Sequence, residues 1–324
     1  MVNLEVNYAG LTLRNPLIVS SSGLTNSLEK CIEMEQAGVG AIVLKSLFEE
    51  QIDILTAQSM INNDYPEAAD YLSGYIEAER MSEYLSLVQG ASKSLSIPVI
   101  ASVNCYKSGK WISYAKAIQE AGASALELNI SIVHTERSAQ DSVAEHVAIV
   151  RDVVKELSIP VIVKIGENHN NLVHLVESLK GAGAKGVVLF NRFYPVDINI
   201  NTMEFTSGDV FSNPQDLSKV IRWVGIVSGK TTNIDLSAST GVHEWEDAVK
   251  VILAGATTVQ LCSTIYNHGS SVISQMLICL EEWMKGKGYH KLSDFRGQLS
   301  YGDIKDTTFY ERTQYMKYFT SRKV

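Results

Sequence analysis

The chain has 324 residues, a formal net charge of −8 and a hydrophobic content of 45%. This length and composition supply a large core, and the acidic balance argues against a nucleic-acid backbone as the main ligand. The four cysteines, at positions 31, 105, 262 and 279, form no Cys-x-x-Cys pair, so we expect neither an iron–sulfur cluster nor a metal site. No apolar run approaches 18 residues and no signal-like segment opens the chain. We therefore expect no membrane association and a cytoplasmic location.

Four segments repeat one pattern, in which a helix end is followed by a glycine and a short β-rich run. They span 36–45, 120–129, 181–190 and 253–262. Glycine in this place can adopt the positive φ that ends a helix. The six residues Leu-Ser-Ile-Pro-Val-Ile occur at 95–100 and again at 157–162, where each proline is expected to start a strand. The repeats indicate regular alternation of helices and strands.

Eight apolar strands are predicted, near 17–21, 41–45, 98–102, 125–129, 160–164, 186–190, 234–237 and 258–262. Helical periodicity separates them, for instance at 27–37, 111–121, 143–157, 172–182 and 215–227. Eight parallel strands with crossover helices predict an α/β fold, the (β/α)8 TIM barrel. The alternative is a doubly wound sheet, but that fold would need a glycine-rich fingerprint after its first strand, and Ser20-Ser21-Ser22-Gly23 is not one.

The rest of the chain is predicted as additions to this barrel. A short hairpin over 4–13 closes its bottom, and extended loops follow strands 2, 4 and 6. The longest of them span Leu47 to about Glu79 and Asn191 to Asn213. Long loops at the carboxyl ends of barrel strands usually belong to the active site. We expect a single (β/α)8 barrel domain over residues 1–299 and a C-terminal extension over 300–324 that packs on the barrel or is partly ordered.

Polar side chains stand where the predicted strands end, and in a barrel these ends meet at one rim. The set is Ser21, Ser22, Gly23, Lys45, Ser46, Asn104, Asn129, Ser131, Lys164, Asn191, Arg192, Ser239, Thr240, Gly241, Cys262, Ser263 and Thr264. Taken singly, such lysines can extend to solvent and such asparagines can cap loops. Taken together they predict a site. The turns after strands 7 and 8 would bind a phosphate, and the lysines and asparagines nearer the middle of the rim would donate to a planar ring that carries carbonyl groups. A phosphorylated planar cofactor fits this set, and FMN fits best.

Several of these motifs resemble the dihydroorotate dehydrogenase family, the FMN-dependent barrels of pyrimidine synthesis, over nearly the whole chain. The resemblance is carried by Asn15-Pro16-Leu17 with Ser21-Ser22-Gly23, Lys45-Ser46, Glu127-Leu128-Asn129-Ile130-Ser131, Lys164, Asn191, Ser239-Thr240-Gly241-Val242, Gly255-Ala256, Gln260-Leu261-Cys262-Ser263-Thr264 and the ending from Gly286 to Gly297. Thr240 stands where the family has the first glycine of its phosphate turn. The combination of motifs is specific for the family, whereas a single motif such as Lys-Ser is only weak evidence for it.

The resemblance implies the roles of individual residues. The expected cofactor-binding set is Ser21, Ser22, Gly23, Lys45, Ser46, Asn104, Asn129, Lys164, Asn191, Gly208, Thr240, Gly241, Cys262, Ser263 and Thr264. Lys45 and Asn129 are expected to contribute to catalysis as well. The family also implies a homodimer and either a partner subunit with flavin and an iron–sulfur cluster or a soluble electron acceptor such as fumarate.

Two departures from the family concern the substrate side. After Ser131 the family continues with Cys or Ser, its catalytic base, then Pro and Asn, whereas this chain has Ile132-Val133-His134. Isoleucine cannot accept a proton. The family's Asn-Ser-Met-Gly-Leu-Pro-Asn substrate loop is also missing, and an acidic stretch replaces it. His134 is the nearest titratable residue and is the candidate base, because imidazole titrates near neutral pH. Cys105 and Tyr106 are weaker candidates.

Two hypotheses follow from this contrast. The first is an FMN oxidoreductase of this family that acts on a CH–CH bond in a dihydropyrimidine-like or related cyclic small molecule, with hydride passing to flavin N5 and with an altered substrate or base. The second is a non-catalytic barrel that binds FMN or another phosphorylated ligand and acts as a sensor or partner protein. Both hypotheses use the same flavin-side residues. They differ in whether the chain also has a working catalytic base.

Overall fold

The computed structural model describes residues 2–48, 68–105, 111–132, 142–193 and 195–311, with the backbone only at 68–77, 105 and 111. The predicted N-terminal hairpin is confirmed: strands β1 (Val6–Tyr8) and β2 (Leu11–Leu13) pair antiparallel. Its Tyr8 is fully buried, and the space above Gly186 is filled by the Tyr8 ring. The hairpin therefore closes the bottom of the fold with an aromatic side chain.

All eight predicted barrel strands are present and parallel. They are β3 (Leu17–Val19), β4 (Ala41–Val43), β6 (Val99–Cys105), β7 (Ala125–Ile130), β8 (Val161–Ile165), β9 (Gly186–Leu189), β12 (Asp235–Ser239) and β13 (Thr258–Leu261). Each pairs with its neighbour, and pairing of β4 with β6 and of β13 with β3 closes the ring. A short strand β5 (Leu47–Phe48) adds to β6. The fold is a (β/α)8 TIM barrel, as predicted.

Ten α-helices occur in the described part of the chain: α1 (Leu28–Gln36), α2 (Ala68–Ser94), α3 (Trp111–Glu120), α4 (Ser142–Glu156), α5 (Leu172–Gly181), α6 (Leu217–Lys230), α7 (Trp245–Ala254), α8 (Ser263–His268), α9 (Ser271–Lys287) and α10 (Thr308–Glu311). The four repeated glycines behave as the sequence predicts. Gly38, Gly122, Gly183 and Gly255 all have φ between 98° and 122° just after helices. This left-handed conformation is nearly free of strain only for glycine, which explains the repeat.

Two predicted loops differ in detail from the structure. The loop after the second barrel strand is shorter than predicted, because α2 already begins at Ala68 instead of after Glu79. Residues 49–67 of that loop and 133–141 of the loop after β7 lie outside the described residues. The loop after β9 is not irregular: it contains an antiparallel hairpin, β10 (Val196–Asn199) and β11 (Glu204–Ser207). Alternating apolar and polar residues in this stretch are the strand signal that the sequence reading missed.

Residues 300–311 pack against α6. Ser300 is buried, and the Tyr301 N–H donates to the Gly225 carbonyl. Arg222 donates from Nη1 to the Tyr310 carbonyl at 3.1 Å. A methyl group on Gly229 would lie only 2.2 Å from the Gly302 nitrogen, so the two backbones approach closely because neither residue has a side chain. The division into a barrel and an extension at residue 300 remains a prediction.

Candidate active site

The register of the barrel strands aligns three polar residues at the carboxyl rim. Asn104 on β6 pairs with Asn129 on β7, and Asn129 pairs with Lys164 on β8. Residues in register on parallel strands point to the same side of the sheet. Asn129 and Lys164 are both buried, while Asn104 is half-buried. The Asn129 Oδ1 has no hydrogen-bond partner among the described residues. A buried unpaired acceptor next to a lysine indicates a place for a hydrogen-bonding ligand.

Lys164 belongs to a network inside the barrel. Its Nζ donates to Ser20 Oγ at 2.9 Å and to Gln260 Oε1 at 2.8 Å. The Gln260 Nε2 in turn donates to Glu127 Oε2 at 2.6 Å. All four residues are buried, so the ammonium group is fixed in position rather than extended to solvent. The structure thus contradicts the possibility that this lysine is an ordinary surface lysine.

Glu127 is the buried carboxylate of this network. Burial raises its pKa, while the positive charge of Lys164 and the hydrogen bond from Gln260 lower it, and burial has the larger effect. Its Oε1 has no partner among the described residues. The carboxylate therefore interacts with Lys164 through the amide of Gln260.

Serine hydroxyls connect the first strands of the barrel. The Ser46 Oγ hydrogen-bonds to Ser21 Oγ at 3.0 Å and to Ser102 Oγ at 2.7 Å. The Tyr84 hydroxyl on α2 bonds the Ser102 backbone on both sides, accepting from its N–H at 2.7 Å and donating to its carbonyl at 2.9 Å. Ser46 is buried, and its hydroxyl bonds to serines on both sides, so it links the ends of β3, β4 and β6.

Lys45 and the turn after β3 lie next to this serine cluster. Lys45 is half-buried, and its backbone N–H donates to the Thr25 carbonyl at 3.3 Å. Ser22 caps the short helix over Gly23–Thr25 by accepting the Leu24 N–H. A Cβ at Gly23 would lie 2.7 Å from the hydroxyl of Tyr266, so a side chain there would require the Tyr266 ring to move. These residues fix the turn, and the Lys45 ammonium group extends from it.

The turns after β12 and β13 are the candidate anion site. Thr240 and Gly241 have φ of 82° and 81° in succession. Consecutive N–H groups in such conformations can converge on an anion, and α8 begins close by with its first N–H groups unpaired within the helix. The left-handed φ is strained for Thr240, which explains why a glycine would suit this position.

The hydroxyls of Ser263 and Thr264 have structural contacts. Ser263 Oγ accepts from the Ser212 N–H at 2.9 Å, and Thr264 Oγ1 donates to the His243 carbonyl at 2.9 Å. Cys262 is half-buried, and burial raises the pKa of its thiol, while contacts with Ser22 and Lys164 lower it. The Thr264 hydroxyl already donates to a carbonyl, whereas the Ser263 hydroxyl only accepts, so an anion at the start of α8 could meet the backbone N–H groups and the Ser263 O–H.

The predicted residues after β9 divide into two groups. Asn191 stands at the strand end, where its N–H donates to the Ile165 carbonyl, and is half-buried at the rim. Arg192 forms an ion pair with Asp216 at 2.6 Å and donates to the carbonyls of Asp209 and Phe211, so it fastens the loop. Gly208 lies at the base of the β10–β11 hairpin, where its N–H donates to Pro195, and its close neighbour is that proline rather than the strand ends.

The segment after β7 contains the altered base position. Ser131 and Ile132 are half-buried, and the Ile132 side chain packs against the hydrophobic core. The candidate base His134 and the weaker candidate Tyr106 lie outside the described residues, and at Cys105 only the backbone is described. Position 132 thus has an apolar packing role.

Ser20, Ser102 and Gln260 belong to the site, but the sequence reading did not assign them a role. A signal for them existed. Ser102 and Gln260 are polar residues inside otherwise apolar strands, with the same two-residue spacing from the rim as Glu127. Because alternate strand residues face the barrel interior, such residues indicate an internal polar network.

The donor set is compatible with a flavin. A planar ring with carbonyl and N–H groups at its edge could accept a hydrogen bond from Lys164 and donate one to the unpaired Asn129 Oδ1. Its phosphate would lie at the turn of Thr240 and at the start of α8. No cluster of three or more metal-binding side chains occurs in the described ranges. Among the helices of the described residues, none is both long and apolar enough to cross a membrane.

Known proteins match this chain over nearly its whole length. The sequence model of the family described as "Dihydroorotate dehydrogenase" matches residues 3–284. The "Putative dihydroorotate dehydrogenase A (fumarate)" of Aeropyrum pernix is 29% identical over 91% of this chain and 96% of its own length. The "Dihydroorotate dehydrogenase B (NAD(+)), catalytic subunit" of Thermoplasma acidophilum is 25% identical over 92% and 99%.

A third relative is named for a different activity. The "NAD-dependent dihydropyrimidine dehydrogenase subunit PreA" of Escherichia coli is 23% identical over 91% of this chain and 76% of its own length. These matches extend over nearly the whole barrel, and the rim described above lies inside the matched region. The chain therefore belongs to the dihydroorotate dehydrogenase family and is an oxidoreductase acting on a CH–CH group.

Proposed function

We propose that this chain binds FMN at the carboxyl rim of the barrel and oxidises or reduces the CH–CH bond of a dihydropyrimidine-like or related cyclic molecule other than dihydroorotate. The observation that carries the proposal is the aligned row of Asn104, Asn129 and Lys164 next to the left-handed turn of Thr240 and Gly241. A bound FMN would supply the hydride-accepting N5. The family is flavin-dependent in general, which supports this choice of cofactor.

Different residues of the chain would bind the flavin ring, the phosphate and the substrate. Lys164, Asn104 and Asn129 would hold the planar ring by its polar edge, since they are fixed in register on neighbouring strands. The N–H groups of Gly241 and of the start of α8 would bind the phosphate. The hydrogen bond between Ser21 and Ser46 would fix the neighbouring ends of β3 and β4. Lys45 would project its ammonium group toward the reacting part of the site. Asn191 would bind the substrate ring.

Proton transfer requires a different residue from the one the family uses. Ile132 packs on the core and has no titratable group, so it cannot act as base. We propose His134, two residues further along, in that role. A correctly placed general base contributes about 10²- to 10⁴-fold to rate, so its identity determines which substrate can react. The name of the PreA relative, a dihydropyrimidine dehydrogenase subunit, supports a substrate other than dihydroorotate, such as a dihydropyrimidine.

The visible spectrum of the purified protein tests cofactor binding first. We expect flavin absorption and release of FMN on denaturation. A panel of dihydropyrimidines and other cyclic amides, mixed anaerobically, should then contain a compound that bleaches the flavin faster than dihydroorotate. A colourless protein that cannot be loaded with FMN contradicts the proposal. Bound FMN that no member of the panel reduces would favour the non-catalytic alternative.

The electron acceptor is proposed from the relatives' names. One relative is named for fumarate, and two are named as subunits of NAD-dependent enzymes. We therefore propose either fumarate or a partner subunit that carries flavin and an iron–sulfur cluster. Reoxidation of the reduced protein by fumarate within the time of turnover supports the first. Reoxidation by artificial dyes but not by fumarate supports the second.

A homodimer is proposed as well, and the β10–β11 hairpin supports it. Val196, Ile198 and Phe205 share one face, because Ile198 is the cross-strand partner of Phe205, and they are 74%, 57% and 82% exposed. The opposite face has Asp197 and Thr206. An apolar face of this kind usually contacts a partner. Light scattering should give a dimer that Phe205→Asp converts to monomer and the control Thr206→Asp does not. A wild-type monomer contradicts the idea.

A further inference from the structure

A carboxyl group lies beneath the rim without a direct positive partner. Glu127 is fully buried, and its contact to a polar group is the short bond from Gln260 to Oε2. Its Oε1 has no partner in the described residues. Burying a carboxylate with so few hydrogen bonds is costly, so an advantage in function would explain its presence.

Gln260 determines how Glu127 meets the nearest cation. Its Oε1 accepts from Lys164 and from Ser20, which leaves Nε2 as the group that faces Glu127. The amide orientation is therefore fixed by its neighbours, because an ammonium cannot accept and a carboxylate cannot donate. Two hydrogen bonds, of 2.8 Å and 2.6 Å, and one amide group lie between the Lys164 ammonium and the Glu127 carboxyl group. Lys164 and Glu127 thus face each other across a neutral spacer instead of forming a direct ion pair.

We propose that Glu127 is the counter-charge of Lys164, that Gln260 holds the two charges apart, and that this arrangement sets the reduction potential of the bound flavin. The inference rests on the proposed function, because it requires FMN above Lys164. The Lys164 charge favours the reduced flavin, which carries more negative charge than the oxidised form. The Glu127 charge lies on the far side of Gln260 and opposes that effect at longer range.

The spacer also keeps Lys164 available. Of the three N–H donors on its ammonium group, Ser20 and Gln260 take two, and the third can serve a ligand at the rim. In a direct ion pair the lysine would turn inward toward Glu127, and its charge would be largely neutralised. Glu127 and Gln260 are therefore positioning residues, which act on the cofactor through Lys164.

Two substitutions of Glu127 separate charge from shape. E127Q removes the negative charge but keeps the size of the side chain and a hydrogen-bonding group. E127D keeps the charge but shortens the side chain, so it weakens the contact with Gln260. A structural role predicts the larger change for E127D, and a charge role predicts it for E127Q.

The test is an anaerobic redox titration of the FMN-loaded protein against a dye of known potential. Removing one charge at this range should raise the ratio of reduced to oxidised flavin in E127Q about tenfold at a fixed dye potential. E127D should remain within about twofold of wild type, because the charge remains. Thermal unfolding checks the fold, and E127Q should be no less stable than wild type. Glu127→Leu, a second neutral variant, should shift the ratio in the same direction if E127Q does not fold.

The outcomes distinguish this inference from the proposed function. A wild-type protein that binds no FMN overturns both. A protein that binds FMN, with E127Q titrating like wild type, overturns the counter-charge role alone. A shift in E127D as large as that in the neutral variants likewise overturns it, because the effect would then come from packing rather than from charge.

Discussion

Strand β7 and the two residues that follow it differ in chemistry over a very short distance. Glu127 and Asn129 lie on the same side of the strand, where Glu127 joins a polar network and each residue leaves one side-chain oxygen unpaired among the described residues. Ser131 and Ile132 come directly afterwards, and Ile132 packs against the core. The cofactor side of the site is thus built from fixed polar groups, while the position of the family's base is apolar.

This difference underlies the proposal that the cofactor is kept and the substrate is altered. Residues that hold a planar phosphorylated cofactor depend on strand register and turn geometry, which the barrel fixes. The group that moves a proton depends on the loop after the strand, which can change without disturbing the barrel. A family member can therefore keep its cofactor and change its substrate.

The largest effect on the cofactor side is expected from Gly241→Ala. A Cβ at this position would lie 2.4 Å from the Leu217 nitrogen, and φ is 81°. Strain and overpacking together should lower the free energy of unfolding by about 2–4 kcal/mol. Urea unfolding measures this loss. The control is Gly181→Ala on α5, where nothing lies within 4 Å of a Cβ, and it should be neutral or stabilising. Equal losses in both would contradict the geometry.

A somewhat smaller effect is expected from Lys164→Met. The variant loses a buried charge-assisted donor, which is worth about 2–3 kcal/mol, so FMN should bind about 30- to 160-fold more weakly. Titration of the apoprotein with FMN, followed by flavin fluorescence, gives the affinity. Lys185→Met is the control, because Lys185 is exposed at the other end of the barrel, before β9. Unchanged affinity in Lys164→Met would remove this residue from the cofactor site.

The smallest expected effect is on the pH dependence of stability. Burial raises the pKa of Glu127 from an unfolded value near 4.5, so the native state binds its proton more tightly than the unfolded state. This contribution to stability is complete below that value and is lost as pH rises through the native pKa. E127Q should therefore gain stability relative to wild type between pH 4.5 and neutral pH. Parallel urea unfolding curves at both pH values would show that Glu127 is not the group responsible.

The sequence predicted the barrel because its strands and helices carry local signals. The four glycines after helices and the two prolines before strands mark the boundaries, and Gly38 and Gly255 have the positive φ that this requires. The hairpin after β9 was missed because its apolar residues do not face a core, so the long stretch looked like an irregular loop.

The site was predictable only in part. Residues at strand ends, such as Asn129 and Lys164, could be grouped because a barrel brings those ends together. The link from Lys164 to Glu127 could not, because it depends on the orientation of the Gln260 amide across the barrel. The contacts of the Ser263 and Thr264 hydroxyls with neighbouring loops could not be predicted either, because they depend on how those loops fold back.

Anaerobic mixing of the FMN-loaded protein with dihydroorotate tests the central claim most directly. Bleaching of the flavin should be slow in wild type and unchanged in the control Ile132→Val. In Ile132→Cys it should be at least about 100-fold faster, because a thiol restores a proton acceptor at the family's position. Wild-type protein that dihydroorotate reduces as fast as the Ile132→Cys variant would contradict the claim that this chain has exchanged its substrate.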